Sequence, residues 1–159
     1  MNRLSDWLKR KVRDPLLAEL KKGVSPSEIA AAISVSLAIA VNPIIGTTTI
    51  LCLLAGKVFR LNHLIMQTIN YFSYPLQLLL IIPLVRLGEM ITGAEKLPLN
   101  PTLIIEEFNR SISGFLVKFG MAGLHGLLGW LIAIPPCAFI INFILKKFLS
   151  KWMKFKSDQ

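Results

Sequence analysis

The chain has 159 residues, 53% of them hydrophobic, and its 18 lysines and arginines outnumber its 9 acidic residues to give a net charge of +9. Its mean hydropathy is +0.59. The apolar residues stand in three blocks, roughly residues 29–59, 64–85 and 115–145, each near or above the ~20 residues that a membrane-spanning helix needs. These properties exclude an ordinary soluble domain. They predict an all-α integral membrane protein.

The segment before the first apolar block, residues 1–24, carries seven basic side chains. Leu4, Trp7 and Leu8 recur at helical spacing opposite most of these charges, a pattern typical of a basic amphipathic helix that lies in the membrane interface. We expect no cleavable signal peptide, because the basic region does not lead directly into an apolar one. A second basic amphipathic segment, residues 146–159, is predicted as a cytoplasmic tail.

The first apolar block is broken at its centre by Asn42, Pro43 and Gly46. Each half has thirteen residues, so each helix reaches only ~20 Å against a hydrocarbon core of ~30 Å. The break therefore predicts a re-entrant helical hairpin over residues 26–59. Ser25 at the N-cap and Glu28 three positions later predict where the hairpin begins.

The distribution of charge predicts the rest of the topology. A span over residues 64–91 leads to an acidic external connector, residues 92–113, and a second span over 114–145 returns to the cytoplasm, so that both termini and the basic clusters lie on one side. Prolines are expected to kink both spans. Pro135 and Pro136 leave open a second re-entrant break.

The hairpin tip is the first candidate binding site. Asn42 can bond free backbone groups, Gly46 permits a tight turn, and Thr47 and Thr48 can cap the returning helix, whose free N–H groups suit an anion. The alternative is that these groups only satisfy the turn itself. Arg86, at the outer end of the second block, is expected either to pair with a nearby glutamate or to bind a phosphate headgroup.

A polar stripe in the second block consists of Gln67, Asn70, Tyr74 and Gln77, whose spacing places them on one face of a continuous helix. They either line a hydrophilic groove or hydrogen-bond the hairpin. Two basic residues at the end of the hairpin are predicted to capture headgroups at the cytoplasmic side; these are Lys57 and Arg60.

In the third block, small residues recur at four-residue spacing at Ala122 and Gly126 and again at Gly129 and Ala133. Such a face lets another helix approach closely. The partner is either the hairpin of the same chain or a second protomer, and two spans plus a hairpin bury so little surface that a homo-oligomer is expected.

Several chemistries are not expected. The two histidines lie in different blocks, so no metal site is predicted. Both cysteines fall in apolar blocks and read as packing residues. No cofactor is predicted.

Several short motifs in the same order resemble a known bacterial membrane family. They are the stretch from Gly23 to Ala30, the break from Pro43 to Thr48, Arg60-Leu61-Asn62, Tyr74-Pro75 and Arg86-Leu87-Gly88. Together they resemble the family called domain of unknown function 2062, over about residues 23–138. This sequence has Tyr74 where the family usually has an asparagine before proline, so no role of that asparagine carries over.

Some members of that family are joined to glycosyltransferase domains, and the resemblance therefore implies an association with envelope glycans or their polyprenyl-phosphate carriers. A glycosyltransferase partner follows from the same resemblance. The hairpin and the membrane arginine also resemble the architecture of DedA-type lipid-carrier transporters.

These features favour a small inner-membrane protein that transports or scrambles an anionic lipid, such as a polyprenyl phosphate. The tip and the second block would form its polar path. One alternative is a non-transporting scaffold or assembly subunit, and another is an ion or small-solute channel. An enzyme is not expected, because no paired acid and base or nucleophile motif is present. Nucleic acid is not an expected partner either, since the basic residues flank membrane blocks.

Overall fold

The computed structural model describes residues 25–98 and 101–157, without the side chains of 101–104, 107, 116, 118 and 152–157. The predicted amphipathic helix in residues 1–24 lies outside this part of the chain. Within it the regular structure is entirely helical, which confirms the all-α fold. The helices are α1 (Pro26–Ala40), α2 (Thr48–Val58), α3 (His63–Phe72), α4 (Tyr74–Thr92), α5 (Pro101–Arg110) and α6 (Ile112–Ser157).

Two of these helices are long and apolar enough to cross a membrane. They are α4, with 19 residues, and the stretch of α6 over Ile112–Lys151, with 40 residues. Helices α1 and α2 are apolar but shorter, with 15 and 11 residues, which correspond to ~22 and ~16 Å of helix. Neither of the two is long enough for a ~30 Å hydrocarbon core.

The start and end of α1 are where the sequence predicts them. Ser25 is the N-cap, and its hydroxyl accepts from the Glu28 amide at 3.2 Å while the Glu28 carboxylate accepts from the Ser25 amide at 2.9 Å. Pro26 occupies the first turn, and Val41 is the C-cap. This capping box satisfies two amide groups that the helix leaves unpaired, so it fixes the first residue of the hairpin.

The second apolar block, predicted as one kinked span over residues 64–91, consists of two helices. Helix α3 ends at Phe72 and α4 begins at Tyr74, with Ser73 between them as the shared cap. Pro75 in the first turn of α4 explains the break, because proline has no N–H to bond the carbonyl four residues earlier. Pro83, by contrast, lies inside α4 without ending it.

The predicted external connector, residues 92–113, contains a helix that the sequence analysis did not identify. Gly93 ends α4 in the left-handed conformation, with φ of 69°, and α5 follows eight residues later. Helix α5 packs on the start of α6, where the rings of Phe108 and Phe115 meet edge to face at 5.2 Å. The connector is therefore a packed element and not only a loop.

Helix α6 continues unbroken for 46 residues. It contains Pro135 and Pro136 without ending at them, so the second re-entrant break that the sequence left open is not formed. It also continues through the predicted tail from residue 146 to Ser157, so the last span and the tail are one helix. The backbone bonds on either side of a proline are enough to hold a helix together where no water competes for them.

The core lies among the first three helices. Its buried members are Ile29, Ala32, Cys52, Ile65 and Met66, with Leu149 of α6 packed against them. Helix α6 crosses both α1 and α4. The hairpin, α3 and the two long helices thus pack together, and α6 covers one side of α1 and α4.

Candidate functional site

Side chains of the hairpin tip hold its turn by hydrogen bonds to the backbone of the tip itself. The carboxamide oxygen of Asn42 accepts from the Ile44 amide at 2.9 Å, an arrangement that replaces a backbone turn. The hydroxyl of Thr47 donates to the Ile44 carbonyl at 2.9 Å, and Gly46 has φ of 90°, where a side chain would be strained. Thr47 is the N-cap of α2 but makes no side-chain capping bond, so the predicted cap by this threonine is wrong.

Amide side chains of α3 and α4 bond the tip and the start of α2. Gln77 donates to the Asn42 carbonyl at 2.7 Å, Gln67 to the Thr49 carbonyl at 3.3 Å, and Asn70 to the Thr49 hydroxyl at 3.4 Å. We call these five residues the hairpin junction. Gln77 and Asn70 are buried, at 2% and 5% exposure, so the junction joins the hairpin to α3 and α4 by hydrogen bonds inside the protein.

The junction separates the members of the predicted polar stripe. Tyr74 is half exposed and lies outside it, because the break at Ser73 interrupts the face that a continuous helix would have kept. Thr48 is buried beside the junction. The amide oxygen of Gln67 is buried without a hydrogen-bond partner, so the junction retains one free acceptor.

Arg86 lies near the far end of α4 and is paired. Its guanidinium donates to the Glu89 carboxylate at 2.7 Å and to the Leu97 carbonyl at 2.8 Å, and the same carboxylate accepts from the Leu97 amide at 3.0 Å. Glu89 is 1% exposed, whereas the Arg86 side chain is 34% exposed. The expected ion pair is confirmed, and it also fastens the chain after α4 back onto that helix.

The two cations predicted to capture headgroups, Lys57 and Arg60, are exposed at the opposite end of α2 from the junction. Arg60 has φ of 52°, and the Leu61 amide donates to the Gly56 carbonyl at 2.8 Å. This is the bond of a Schellman cap, whose left-handed position favours glycine. An arginine is therefore held here in a backbone conformation that disfavours a side chain.

Replacement of that residue by glycine should stabilise the protein. Arg60→Gly removes the strain of a left-handed arginine and is expected to raise the free energy of unfolding by about 1 kcal/mol. Thermal unfolding of the purified protein in detergent measures this, with Lys57→Gly as the control. The control places glycine inside α2 and should lower stability by about 1 kcal/mol. A fall in stability for Arg60→Gly would show that its side chain makes a stabilising contact.

An apolar groove runs between α1 and α6, with the end of α2 along one edge. Its volume is about 420 Å³, within the range of small-molecule sites. Trp130 donates from its indole nitrogen to the Ala38 carbonyl at 2.8 Å, which ties the helices together at one end. The lining is Ala31, Ser34, Val35, Ala38, Ile39, Ala55, Phe59, Trp130, Pro135, Ala138, Phe139 and Asn142.

Two polar atoms of this lining have no hydrogen-bond partner. They are the hydroxyl oxygen of Ser34 and the carboxamide oxygen of Asn142. Ser34 is 2% exposed and also lines a smaller cavity of about 160 Å³ on the α4 side of α1. Sequence reasoning missed both residues, although each stands between two apolar neighbours inside an apolar block and could have been singled out for that reason.

Glycines bring α4 and α6 into backbone contact. A Cβ at Gly88 would collide with the His125 carbonyl, and one at Gly129 would collide with the Leu84 carbonyl. At Gly126 it would touch the ring of Pro43 in the hairpin at 3.1 Å. The small-residue face of α6 therefore packs against the same chain, on α4 and on Pro43 of the hairpin. The sequence analysis named the hairpin as one possible partner but did not name α4.

The predicted site residues lie in three separate places. Asn42, Gly46, Thr47 and Thr48 lie at or beside the tip. Gln77 bonds Asn42 there, whereas Gln67 and Asn70 bond Thr49 at the start of α2. The bonds of Arg86 go to Glu89 and Leu97. The remaining pair, Lys57 and Arg60, lies at the other end of α2, beside the groove. The groove is a cavity that the sequence did not predict.

A family model for an uncharacterized protein conserved in bacteria, DUF2062, matches residues 7–157. The chain belongs to the domain of unknown function 2062 family. The match covers the hairpin junction, the Arg86–Glu89 pair and the groove, and it extends beyond the residues 23–138 over which the motifs resemble the family. Comparisons with curated proteins and with solved structures found no match.

Proposed function

We propose that this member of the domain of unknown function 2062 family transports or scrambles an anionic lipid across the bacterial inner membrane. The observation that carries the proposal is the hairpin junction. A helical hairpin too short to cross the membrane is bonded at its tip and at the start of α2 by amide side chains of α3 and α4. Polar groups are expensive in hydrocarbon and are typical of a path for polar substrates.

The hairpin gives such a path its geometry. If α1 enters from the cytoplasmic side and α2 returns to it, the tip lies inside the membrane. Lys57 and Arg60 then lie at the cytoplasmic surface. A headgroup would meet these cations first and the junction next, while its chains stay among the exposed apolar side chains. This route needs no bond to be made or broken, so the proposed activity is not enzymatic.

A non-transporting scaffold is the second candidate. The face of α6 that contains Gly126 and Gly129 already packs against the same chain, so a partner would have to bind elsewhere. Gly120 and Gly123 have open space above them and offer a different face of α6 for such a partner.

The direct test of transport is lipid movement in liposomes. Purified protein should move labelled phosphatidylglycerol and polyprenyl phosphate between leaflets, and Gln77→Leu, which removes the bond to Asn42, should reduce the rate at least tenfold. Lys96→Met, which removes an exposed charge after α4, is the matched control and should leave the rate unchanged. Native protein that moves neither lipid would refute transport and favour the scaffold.

The re-entrant path has its own test, by labelling single cysteines from one side of the membrane. Cys137→Ala removes the exposed thiol, whereas Cys52 is fully buried and can stay. A membrane-impermeant maleimide should modify Lys57→Cys and Lys146→Cys from the cytoplasmic side and Lys96→Cys from the opposite side only. Labelling of Lys57→Cys together with Lys96→Cys would mean that the hairpin crosses the membrane.

A further inference from the structure

The groove between α1 and α6 has the composition of a site for a lipid chain with one polar group. Ten of its twelve lining residues are apolar, and the indole N–H of Trp130 is already bonded to Ala38. The Ser34 hydroxyl and the Asn142 carboxamide oxygen remain as buried polar atoms without partners. A buried polar group left unpaired is unfavourable, so these two atoms favour an occupant that bonds them.

Their chemistry restricts the group that would fill the position. The Asn142 oxygen can only accept a hydrogen bond, whereas the Ser34 hydroxyl can donate or accept. A ligand hydroxyl has the chemistry to satisfy both, because it can donate to Asn142 and accept from Ser34. A purely hydrocarbon chain satisfies neither atom. A phosphate oxygen, which is an acceptor, would repel the Asn142 oxygen.

Positive charge lies just beyond Ser34 and Asn142, which we call the polar pair. Lys146 follows Asn142 by one helical turn, ~6 Å along the same side of α6, and is exposed. Arg60 directly follows Phe59, which lines the groove. The order along the groove is therefore an apolar stretch beside Trp130, then the polar pair, then cations at the open end.

We propose that the groove binds a lysophospholipid, with its single acyl chain toward Trp130, its free glycerol hydroxyl between Ser34 and Asn142, and its phosphate at Arg60 and Lys146. Charge complementarity and the order of groups favour this occupant over others. A polyprenyl phosphate has no hydroxyl between chain and phosphate, and in a two-chain phospholipid an acyl ester occupies that oxygen. The proposal goes beyond the proposed function, because it assigns a lipid to the groove and not to the hairpin junction.

The test uses Trp130 as the reporter. Trp7→Phe and Trp152→Phe in the full chain leave it as the only tryptophan of the three. A lysophosphatidylglycerol with a brominated acyl chain should quench its fluorescence saturably in detergent solution. An analogue with hydrogen in place of the free hydroxyl should bind about tenfold more weakly, as expected for the loss of two hydrogen bonds.

Substitutions in the groove distinguish recognition of the lipid hydroxyl from an effect on the stability of the fold. Ser34→Ala with Asn142→Leu removes both unpaired atoms, so this variant should fold at least as stably as the native chain and bind the lysolipid and its analogue equally. Equal binding of the two lipids by the native chain would overturn the recognition of a hydroxyl. Tighter binding of a brominated polyprenyl phosphate would overturn the substrate class.

Absence of saturable quenching would overturn the groove as a lipid site, and cross-linking from Phe139→Cys would then identify the protein segment or second copy that covers it. Lipid movement in liposomes is measured separately. The proposed transport can therefore stand when the lysolipid proposal fails, provided that phosphatidylglycerol or polyprenyl phosphate still moves.

Discussion

Gly129→Ala should destabilise the protein by about 3 kcal/mol, because the new methyl group meets a backbone carbonyl that no rotamer change can move. The affected atom is the Leu84 carbonyl of α4. Relief requires α4 and α6 to separate, which also disturbs the contact between Gly88 and His125. Thermal unfolding in detergent should show a transition lowered by several degrees, and the yield of folded protein should fall.

The same helix provides the control. Gly123 has open space where a Cβ would be placed, so Gly123→Ala should be neutral or should stabilise α6 by roughly 0.5–1 kcal/mol, the usual gain from alanine in a helix interior. Equal effects of the two substitutions would mean that the backbone contact between α4 and α6 does not form in the purified protein.

Arg86→Ala should lower stability by about 3 kcal/mol, because it leaves the Glu89 carboxylate buried without its ionic partner. Glu89 is 1% exposed and also accepts from the Leu97 amide. Loss of the pair should therefore loosen the chain after α4 as well. Proteolysis near Leu97, followed by mass spectrometry, should be faster in the variant than in the native chain.

A double variant distinguishes the loss of the arginine itself from the effect of leaving the Glu89 carboxylate buried without a partner. Arg86→Met with Glu89→Gln keeps the acceptor for the Leu97 amide and leaves no buried charge, so its stability should return to within about 1 kcal/mol of the native value. Lipid movement measured in this variant then reports on the arginine itself. A rate equal to that of the native chain would remove Arg86 from the lipid path, whereas Arg86→Ala alone could lose transport by unfolding.

Local rules of the sequence predict much of this fold. The capping box at Ser25 and the break after Val41 depend on residues within one helical turn, and both are where the sequence places them. The pairing of Arg86 with Glu89 follows from a three-residue spacing on one helix. Periodicity also identifies Gln67, Asn70 and Gln77 as inward-facing, since a polar residue in an apolar block has to find a partner.

The remainder depends on contacts between distant segments, which a single sequence does not specify. Pro75 could kink a helix or begin a new one, and only the packing of α3 on the hairpin and of α4 on α6 selects the second. The continuity of α6 past Pro135 and Pro136 is likewise a tertiary outcome. The groove could not be predicted, because Ser34 and Asn142 are more than one hundred residues apart in the chain.

A membrane that α6 crossed would hold only part of this unbroken helix. Its 46 residues make a rod of ~69 Å, and even at a steep 40° inclination a ~30 Å hydrocarbon layer contains only ~26 of them. About twenty residues of the same rod must then project beyond the hydrocarbon. One inserted residue in α6 would rotate everything after it by ~100°, and so would turn Lys146 and its neighbours away from the groove without changing any side chain.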